Sequence, residues 1–153
     1  LDMAKKYGIE NPPNAGGGCL LTDPTFGLRA KDLFAHTETP TINDIDLLKI
    51  GRHFRLDEQT KFVVGRNKDE NEMIKAIALP NDILLHVRDH MGPVSILRGK
   101  NVDSYVKFAS SVTLRYSDSP KGEQVCVIVT RNNTKEEVTA QSVGEESYLK
   151  FRI

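Results

Sequence analysis

The chain has 153 residues, of which 39% are hydrophobic and 27% are charged, values typical of a globular protein rather than a disordered or fibrous one. Its 21 Lys and Arg residues balance 21 Asp and Glu residues, so any contact with nucleic acid must depend on local charge. No apolar run approaches the ~20 residues of a membrane helix, and no apolar region follows the basic N-terminal residues as in a signal peptide. We therefore expect a cytoplasmic location without a membrane partner.

The N-terminal quarter of the chain differs from the rest in composition and in its secondary-structure pattern. Residues 1–40 contain four of the seven prolines, three consecutive glycines and one short helical pattern over residues 28–36, which is typical of an arm that packs on another surface. The sequence begins at Leu1 rather than Met, which predicts a segment of a longer protein. We assign residues 1–43 to an arm or linker and residues 44–153 to a compact domain.

Strand and helix signals alternate regularly through the compact domain. Two β-competent segments around a short polar connection predict a hairpin, and apolar residues at helical spacing predict two principal helices. The predicted strands cover residues 49–56, 61–65, 82–87, 93–97, 124–130, 137–140 and 148–153, and the predicted helices cover residues 69–78 and 103–114. This order of elements indicates an α+β fold with a mostly antiparallel sheet of about seven strands.

The first strand of the hairpin carries basic and aromatic side chains. With a period of two, Arg52, Phe54 and Leu56 fall on one face, whereas His53 and Arg55 fall on the other. Arginine pairs with phosphate, and aromatic or imidazole rings stack on unpaired bases. The pattern is thus compatible with an RNA-contacting strand, and equally with an edge strand whose charges prevent aggregation.

A glycine-bearing loop leads into the first principal helix at Gly65, Arg66 and Asn67. Backbone N–H groups at a helix N-terminus can bind an anion, and Arg66 would add positive charge. Acidic residues in the first turn, including Asp69 and Glu70, would repel a phosphate. Asn67 can also be a plain N-cap.

The predicted strand at residues 82–87 places Asp82, Leu84, His86 and Arg88 on one face. Histidine beside a cation resists protonation, whereas a neighbouring carboxylate favours it. The spacing of His86 and His90 converges on a helix and diverges along a strand. The pattern therefore predicts no metal site, and His86 is either an RNA contact or a hydrogen-bonded structural residue.

The two cysteines are far apart in the sequence and too few for a disulfide scaffold. Cys126 lies in a β-branched run and is expected to be a buried small hydrophobe. Cys19 follows three glycines, which makes its thiol accessible and a candidate sulfur carrier or nucleophile. The alternative is that Cys19 only anchors the arm.

Residues 54–97 resemble the NFACT RNA-binding domain (NFACT-R). The resemblance rests on a strand that ends in Gly65-Arg66-Asn67, an Asn in the opening turn of a helix, the Asp-x-x-x-His pattern of Asp82 and His86, and Gly92 before an apolar strand. Residues 109–111 and 115–117 are similar to the closing helix of that family. The resemblance implies RNA binding.

Residues 15–24 and 47–56 resemble the region that follows the PP-loop ATPase domain in tRNA thiouridylases related to 4-thiouridine synthetase and tRNA 2-thiouridylase. This resemblance implies that the chain binds tRNA as partner while its own N-terminal ATPase domain uses ATP to thiolate a uridine. The phosphate-binding loop of that ATPase is absent here, so we expect no catalysis and no cofactor in this segment. The RNA contacts that the resemblance implies are Arg52, His53, Arg55, Arg66, Asn67, His86 and Arg88.

Two other functions remain open from the sequence. The chain can be a scaffold that docks on the ATPase domain, as its Pro- and Gly-rich arm indicates. Alternatively, Cys19 can carry sulfur in the intact enzyme.

Overall fold

The computed structural model describes residues 23–153, which divide between Pro40 and Thr41 into two units. In the first unit, helix α1 (Pro24–His36) begins with proline in its first turn, and the Asp23 carboxylate accepts a hydrogen bond from the Thr25 amide at 2.9 Å. Proline and an Asp N-cap are both favoured at a helix start, so the helix is longer than the predicted pattern. No helix among residues 23–153 is long and apolar enough to cross a membrane.

The second unit is an α+β domain built on one antiparallel sheet of six strands, in the order β1-β2-β4-β3-β5-β6. The predicted fold class is confirmed, with six strands in place of about seven. The strands are β1 (Arg52–Asp57), β2 (Thr60–Val64), β3 (Ile83–Val87), β4 (Ser95–Gly99), β5 (Gln124–Arg131) and β6 (Thr134–Gln141). The helices of this unit are α2 (Ile42–Leu48), α3 (Lys68–Ile77) and α4 (Val106–Arg115), the last preceded by a 3-10 turn (Val102–Tyr105).

Helix α2 was not predicted from the sequence. It begins with a capping box, in which the Thr41 hydroxyl accepts from the Asp44 amide at 3.1 Å and the Asp44 carboxylate accepts from the Thr41 amide at 3.0 Å. The helix has only seven residues, too few for a clear hydrophobic period, so reciprocal capping and the burial of Leu47 and Leu48 stabilise it.

The predicted strand at residues 148–153 is wrong. Residues Glu145–Ser147 and Leu149–Phe151 form 3-10 turns, with the Phe151 amide bonded to the Tyr148 carbonyl at 3.0 Å. A single isolated bridge joins Arg152 to Phe54 of β1. Over such a short segment, the apolar residues fit the strand period of two and a helical period equally well. Tyr148 is buried in the core although it belongs to a turn rather than a strand.

One face of the sheet packs against α4 and holds the larger core. Phe54, Phe62, Leu85 and Val127 alternate along their strands toward this face, as period two requires. On α4, Ala109, Val112 and Leu114 are completely buried in the same core. Ser95 of β4 shares a 2.8 Å hydrogen bond with Thr113 of α4, which satisfies two buried hydroxyls.

The opposite face is divided into two halves. Leu47 of α2 and Ile74 of α3 pack on Val63 of β2 and Ile96 of β4, and cover the half formed by β1, β2 and β4. We call this the covered half. Leu84 of β3 is partly buried against the edge of the same cluster. The other half is formed by β3, β5 and β6, and we call it the open half. Its solvent-facing side chains form the candidate binding surface.

Candidate nucleic-acid interface

The open half presents alternate residues of three strands to solvent. Leu84 lies opposite Thr130 and His86 lies opposite Ile128, and these strand positions continue onto β6. His86, Lys135 and Thr139 are exposed, whereas Leu84, Ile128 and Thr130 are half-buried. Together they form a surface of mixed apolar and polar character. The residues that face this side are Leu84, His86, Arg88, Cys126, Ile128, Thr130, Lys135, Glu137 and Thr139.

A small cationic cluster surrounds His86. Lys75, in the last turn of α3 and paired with Glu72 at 2.8 Å, and Lys135, at the start of β6, both lie near enough to repel a proton from the imidazole. The pKa of His86 is therefore below its ordinary value of 6.5, first because surrounding atoms desolvate the ring and second because of the two ammonium groups. The sequence left open whether a neighbouring cation or a neighbouring carboxylate dominates at His86; in the structure the charges that lower its pKa are those of the two lysines.

Arg88 extends the open half beyond the end of β3. Its guanidinium donates to Asp89 at 3.2 Å and forms an ion pair with Glu137 of β6 at 3.0 Å. Cys126 lies beside it, half-buried rather than in the core, with its thiol donating to Glu137 at 3.6 Å. Burial raises the pKa of the Cys126 thiol, which disfavours a reactive thiolate.

Arg66 is committed to an internal ion pair. Its guanidinium donates to both carboxylate oxygens of Glu70, at 2.9 and 2.7 Å, and its amide donates to the same carboxylate at 2.9 Å. This bidentate pair lowers the pKa of Glu70 to about 2. Asn67 is the N-cap of α3, with its side chain accepting from the Glu70 amide at 2.9 Å.

Gly65 is required by a second contact of the same loop. The side-chain oxygen of Asn71 accepts from the Val94 amide at 3.0 Å and thereby ties α3 to the segment before β4. A Cβ atom at Gly65 would overlap this oxygen. The Gly65-Arg66-Asn67 motif is thus explained by local packing and capping, without a bound anion.

The predicted alternation along β1 is confirmed, and it sends the basic side chains in opposite directions. Arg52 lies on the α4 face, with its guanidinium carbon 4.4 Å from the centre of the Tyr116 ring. His53 lies on the other face, is completely buried, and bonds through Nε2 to the Ile50 carbonyl at 2.8 Å. Arg55 is half-buried opposite Lys61 of β2.

The seven predicted RNA contacts therefore do not converge on one patch. His86 and Arg88 share the open half, Arg52 lies on the opposite face, and Arg66 is neutralised by Glu70. His53 is completely buried, and its contact with RNA stays a prediction. Cys19 lies outside the described residues.

Two contributors to the open half, Lys75 and Lys135, were missed. The sequence signal for Lys135 was available, because a period of two along residues 134–141 places it on the face of Glu137 and Thr139. Lys75 could be placed beside His86 only by the packing of α3 across the sheet.

The fold and surface define a class of protein: an α+β domain with one sheet face half covered by short helices and half available for a ligand. A family described as "NFACT protein RNA binding domain" matches residues 51–152. The chain belongs to this family, and the resemblance seen in the sequence is confirmed to that extent.

The fold also recurs in a solved structure, "the structure of the C-terminal of the fibronectin/fibrinogen-binding protein from Streptococcus suis". The two chains share 12% sequence identity with a TM-score of 0.59, over 82% of this chain and 66% of the other. This similarity shows a shared fold, and the chain spans just under two thirds of that structure. No curated protein sequence matches this chain.

Proposed function

We propose that this domain binds RNA through the open half of its sheet. The observation that carries the proposal is the cluster of Lys75, His86 and Lys135 beside exposed and half-buried sheet residues, in a domain of an RNA-binding family. Ammonium groups contact phosphates, and Ile128 with Leu84 offers an apolar platform for bases. Affinity is modest, because Glu137 and Asp89 already neutralise Arg88, and Glu72 forms a solvent-exposed ion pair with Lys75 at 2.8 Å.

Lysine replacements test this surface with a matched control. The double variant Lys75→Gln/Lys135→Gln removes two exposed ammonium groups from the open half, and Lys68→Gln/Lys100→Gln removes two exposed ammonium groups elsewhere. One lysine of each pair is on α3; the other is Lys135 at the start of β6 or Lys100 directly after β4.

Binding to tRNA and to a labelled oligouridylate would be measured by fluorescence anisotropy at several salt concentrations. We expect the open-half variant to bind about tenfold more weakly and to have a salt dependence smaller by roughly 1.5 in log–log slope. The control should match the wild type. Equal losses in both variants would mean that only total charge matters, and would contradict the proposed surface.

The finer function that we propose is support of tRNA thiolation. In this proposal the domain positions tRNA for a PP-loop ATPase domain of the same cytoplasmic enzyme, which uses ATP to transfer sulfur to a uridine. Its support is the resemblance of residues 15–24 and 47–56 to thiouridylases. Mass spectrometry of tRNA nucleosides from cells that lack the protein should show one thiouridine lost; an unchanged nucleoside profile would contradict this role.

A further inference from the structure

A second group of basic side chains lies on the α4 face of the sheet, at the edge formed by β1. Arg52 packs over the ring of Tyr116, and Arg152 lies 5.7 Å from the centre of the Phe54 ring. Arg152 bridges to Phe54 through the backbone, and Arg52 and Phe54 share one face of β1. The two guanidinium groups therefore face the same side.

Tyr116 connects these two arginines. It is half-buried at the C-terminal end of α4, with its ring 5.6 Å from that of Tyr148. Burial, together with a hydrogen bond to Tyr148, raises the pKa of Tyr116 to about 12, whereas Arg52 and Arg152 both act electrostatically to lower it. Both guanidinium charges therefore act electrostatically on the hydroxyl group of Tyr116.

Neither guanidinium is neutralised by a carboxylate within residues 23–153. The contacts of Arg52 there are the Tyr116 ring and the Gly65 carbonyl, the latter at 3.5 Å. Arg66 and Arg115, in contrast, pair with Glu70 and Glu145. Two cations that act on the same phenol, with no counter-charge among these residues, both stabilise an anion that binds beside that phenol.

Stacking also leaves the donors available. A guanidinium that stacks on an aromatic ring contacts it with its flat face. Its N–H groups lie in the plane of the guanidinium, point away from the ring contact and can still donate hydrogen bonds. Arg52 is half-buried and Arg152 is exposed, so both are accessible from solvent. Arginine forks of this kind match the oxygen spacing of a phosphate.

We propose that Arg52, Arg152 and Tyr116 form a second phosphate-binding site for the RNA backbone, separate from the open half. This inference rests on the proposed RNA-binding function and deepens it. The two sites lie on opposite faces and toward opposite edges of a six-stranded sheet, which spans about 24 Å between its edge strands. An RNA that contacts both must be a folded molecule or a long single strand.

The test compares Arg152→Gln with Lys150→Gln. Both residues are exposed cations of the same C-terminal segment, but only Arg152 acts on Tyr116. We expect Arg152→Gln to weaken binding of tRNA about fivefold and to reduce the log–log salt slope by roughly 1, with Lys150→Gln unchanged. Arg152→Lys should restore part of the affinity, since the charge remains but the fork is lost.

A second measurement follows Tyr116 directly. The chain contains no tryptophan, so tyrosine fluorescence reports on binding near this ring, and Tyr116→Phe removes the phenol. RNA binding should change the fluorescence of the wild type more than that of the variant. Arg52→Gln provides a further test, provided that its thermal unfolding matches the wild type.

The outcomes separate the two sites. If Arg152→Gln binds like the wild type, or if Lys150→Gln loses as much, the second site is overturned while the open half stands. If Arg152→Gln weakens binding and Lys75→Gln/Lys135→Gln does not, the open half is overturned instead. A wild-type chain that binds neither tRNA nor an oligouridylate of about 30 nucleotides would overturn both.

Discussion

On the covered half of the sheet, Arg98 lies between the carboxylates of Asp82 and Asp44, at 2.7 and 3.2 Å. On the open half, Lys135 and His86 face solvent near each other, and neither forms an ion pair with a carboxylate of residues 23–153. The difference follows from the position of α2 and α3. Where helices cover the sheet, a charged side chain must pair internally, because burying an unpaired charge is costly. Where they end, the same residue types remain available to a ligand.

The largest loss of stability is expected when a charge is removed from the covered half. Arg98→Ala leaves Asp82, with 4% of its side chain exposed, without its partner, and it also removes a bond to the Ile77 carbonyl at 3.4 Å. We expect a loss of about 3 kcal/mol in the free energy of unfolding, because breaking a buried pair leaves an uncompensated charge. Urea denaturation of the wild type and the variant measures this difference in the free energy of unfolding.

Arg88→Ala is the control on the open half. Its ion pairs with Asp89 and Glu137 are exposed to solvent, so the free energy of unfolding should be nearly unchanged. Equal destabilisation by the two alanine variants would remove the distinction between the halves.

A smaller effect is expected from Glu70→Gln at the margin of the covered half. The Glu70 carboxylate, with 10% of its side chain exposed, accepts from Arg66 and from the Gly51 amide. Replacement should cost about 2 kcal/mol, a value reduced from the pKa shift because Arg66 is partly solvated. Thermal unfolding at neutral pH measures this loss. Glu72→Gln is the control, because its ion pair with Lys75, at 2.8 Å on the same helix, is exposed to solvent and contributes little to stability.

The same carboxylate predicts a pH dependence. The pKa of Glu70 in the folded protein, about 2, lies below its ordinary value of 4.5, so the contribution of the carboxylate to stability is complete above pH ~4.5 and is lost as the pH falls toward 2. The Glu70→Gln variant should show a flatter decline of stability over this range. Identical acid profiles would show that the ion pair contributes nothing.

The smallest effect concerns His86 and sharpens the description of the open half. The pKa of His86 is lowered in the free protein by desolvation, Lys135 and Lys75, and nearby RNA phosphates would raise it again. RNA binding should therefore take up a proton, and affinity should rise a few-fold as the pH falls from about 7.5 to about 5.5. Glu137 and Arg88 face the same surface and form an ion pair with each other.

Binding measured in His86→Gln should lose this pH dependence while keeping most of its affinity at neutral pH. The stability of the free protein changes in the opposite direction to its RNA affinity. Because the pKa of His86 is depressed in the folded state, the folded state loses stability as the pH falls below about 6.5. A pH profile of RNA binding that is the same in both proteins would exclude His86 from the interface.

The sequence by itself determined the class of fold, most of the strands and the alternation along β1. These follow from local rules: period two along strands, helical spacing in residues 69–78, and the positive φ at Asn132 and Asn133 that a tight hairpin turn requires. It also determined the family through motifs whose reasons are local, such as Gly65 beside Asn71. The number of strands was missed only where 3-10 turns replace the last one.

Only the tertiary structure decided which charges are available. Arg98 and Lys135 look alike in the sequence, yet Asp82 and Asp44 neutralise the first from distant segments, while the second faces solvent beside His86. Arg52 and Arg152 are a hundred residues apart and act on one tyrosine. Such partnerships depend on packing between distant segments, which periodicity and composition do not specify, because electrostatic interactions are set by distance and burial in three dimensions.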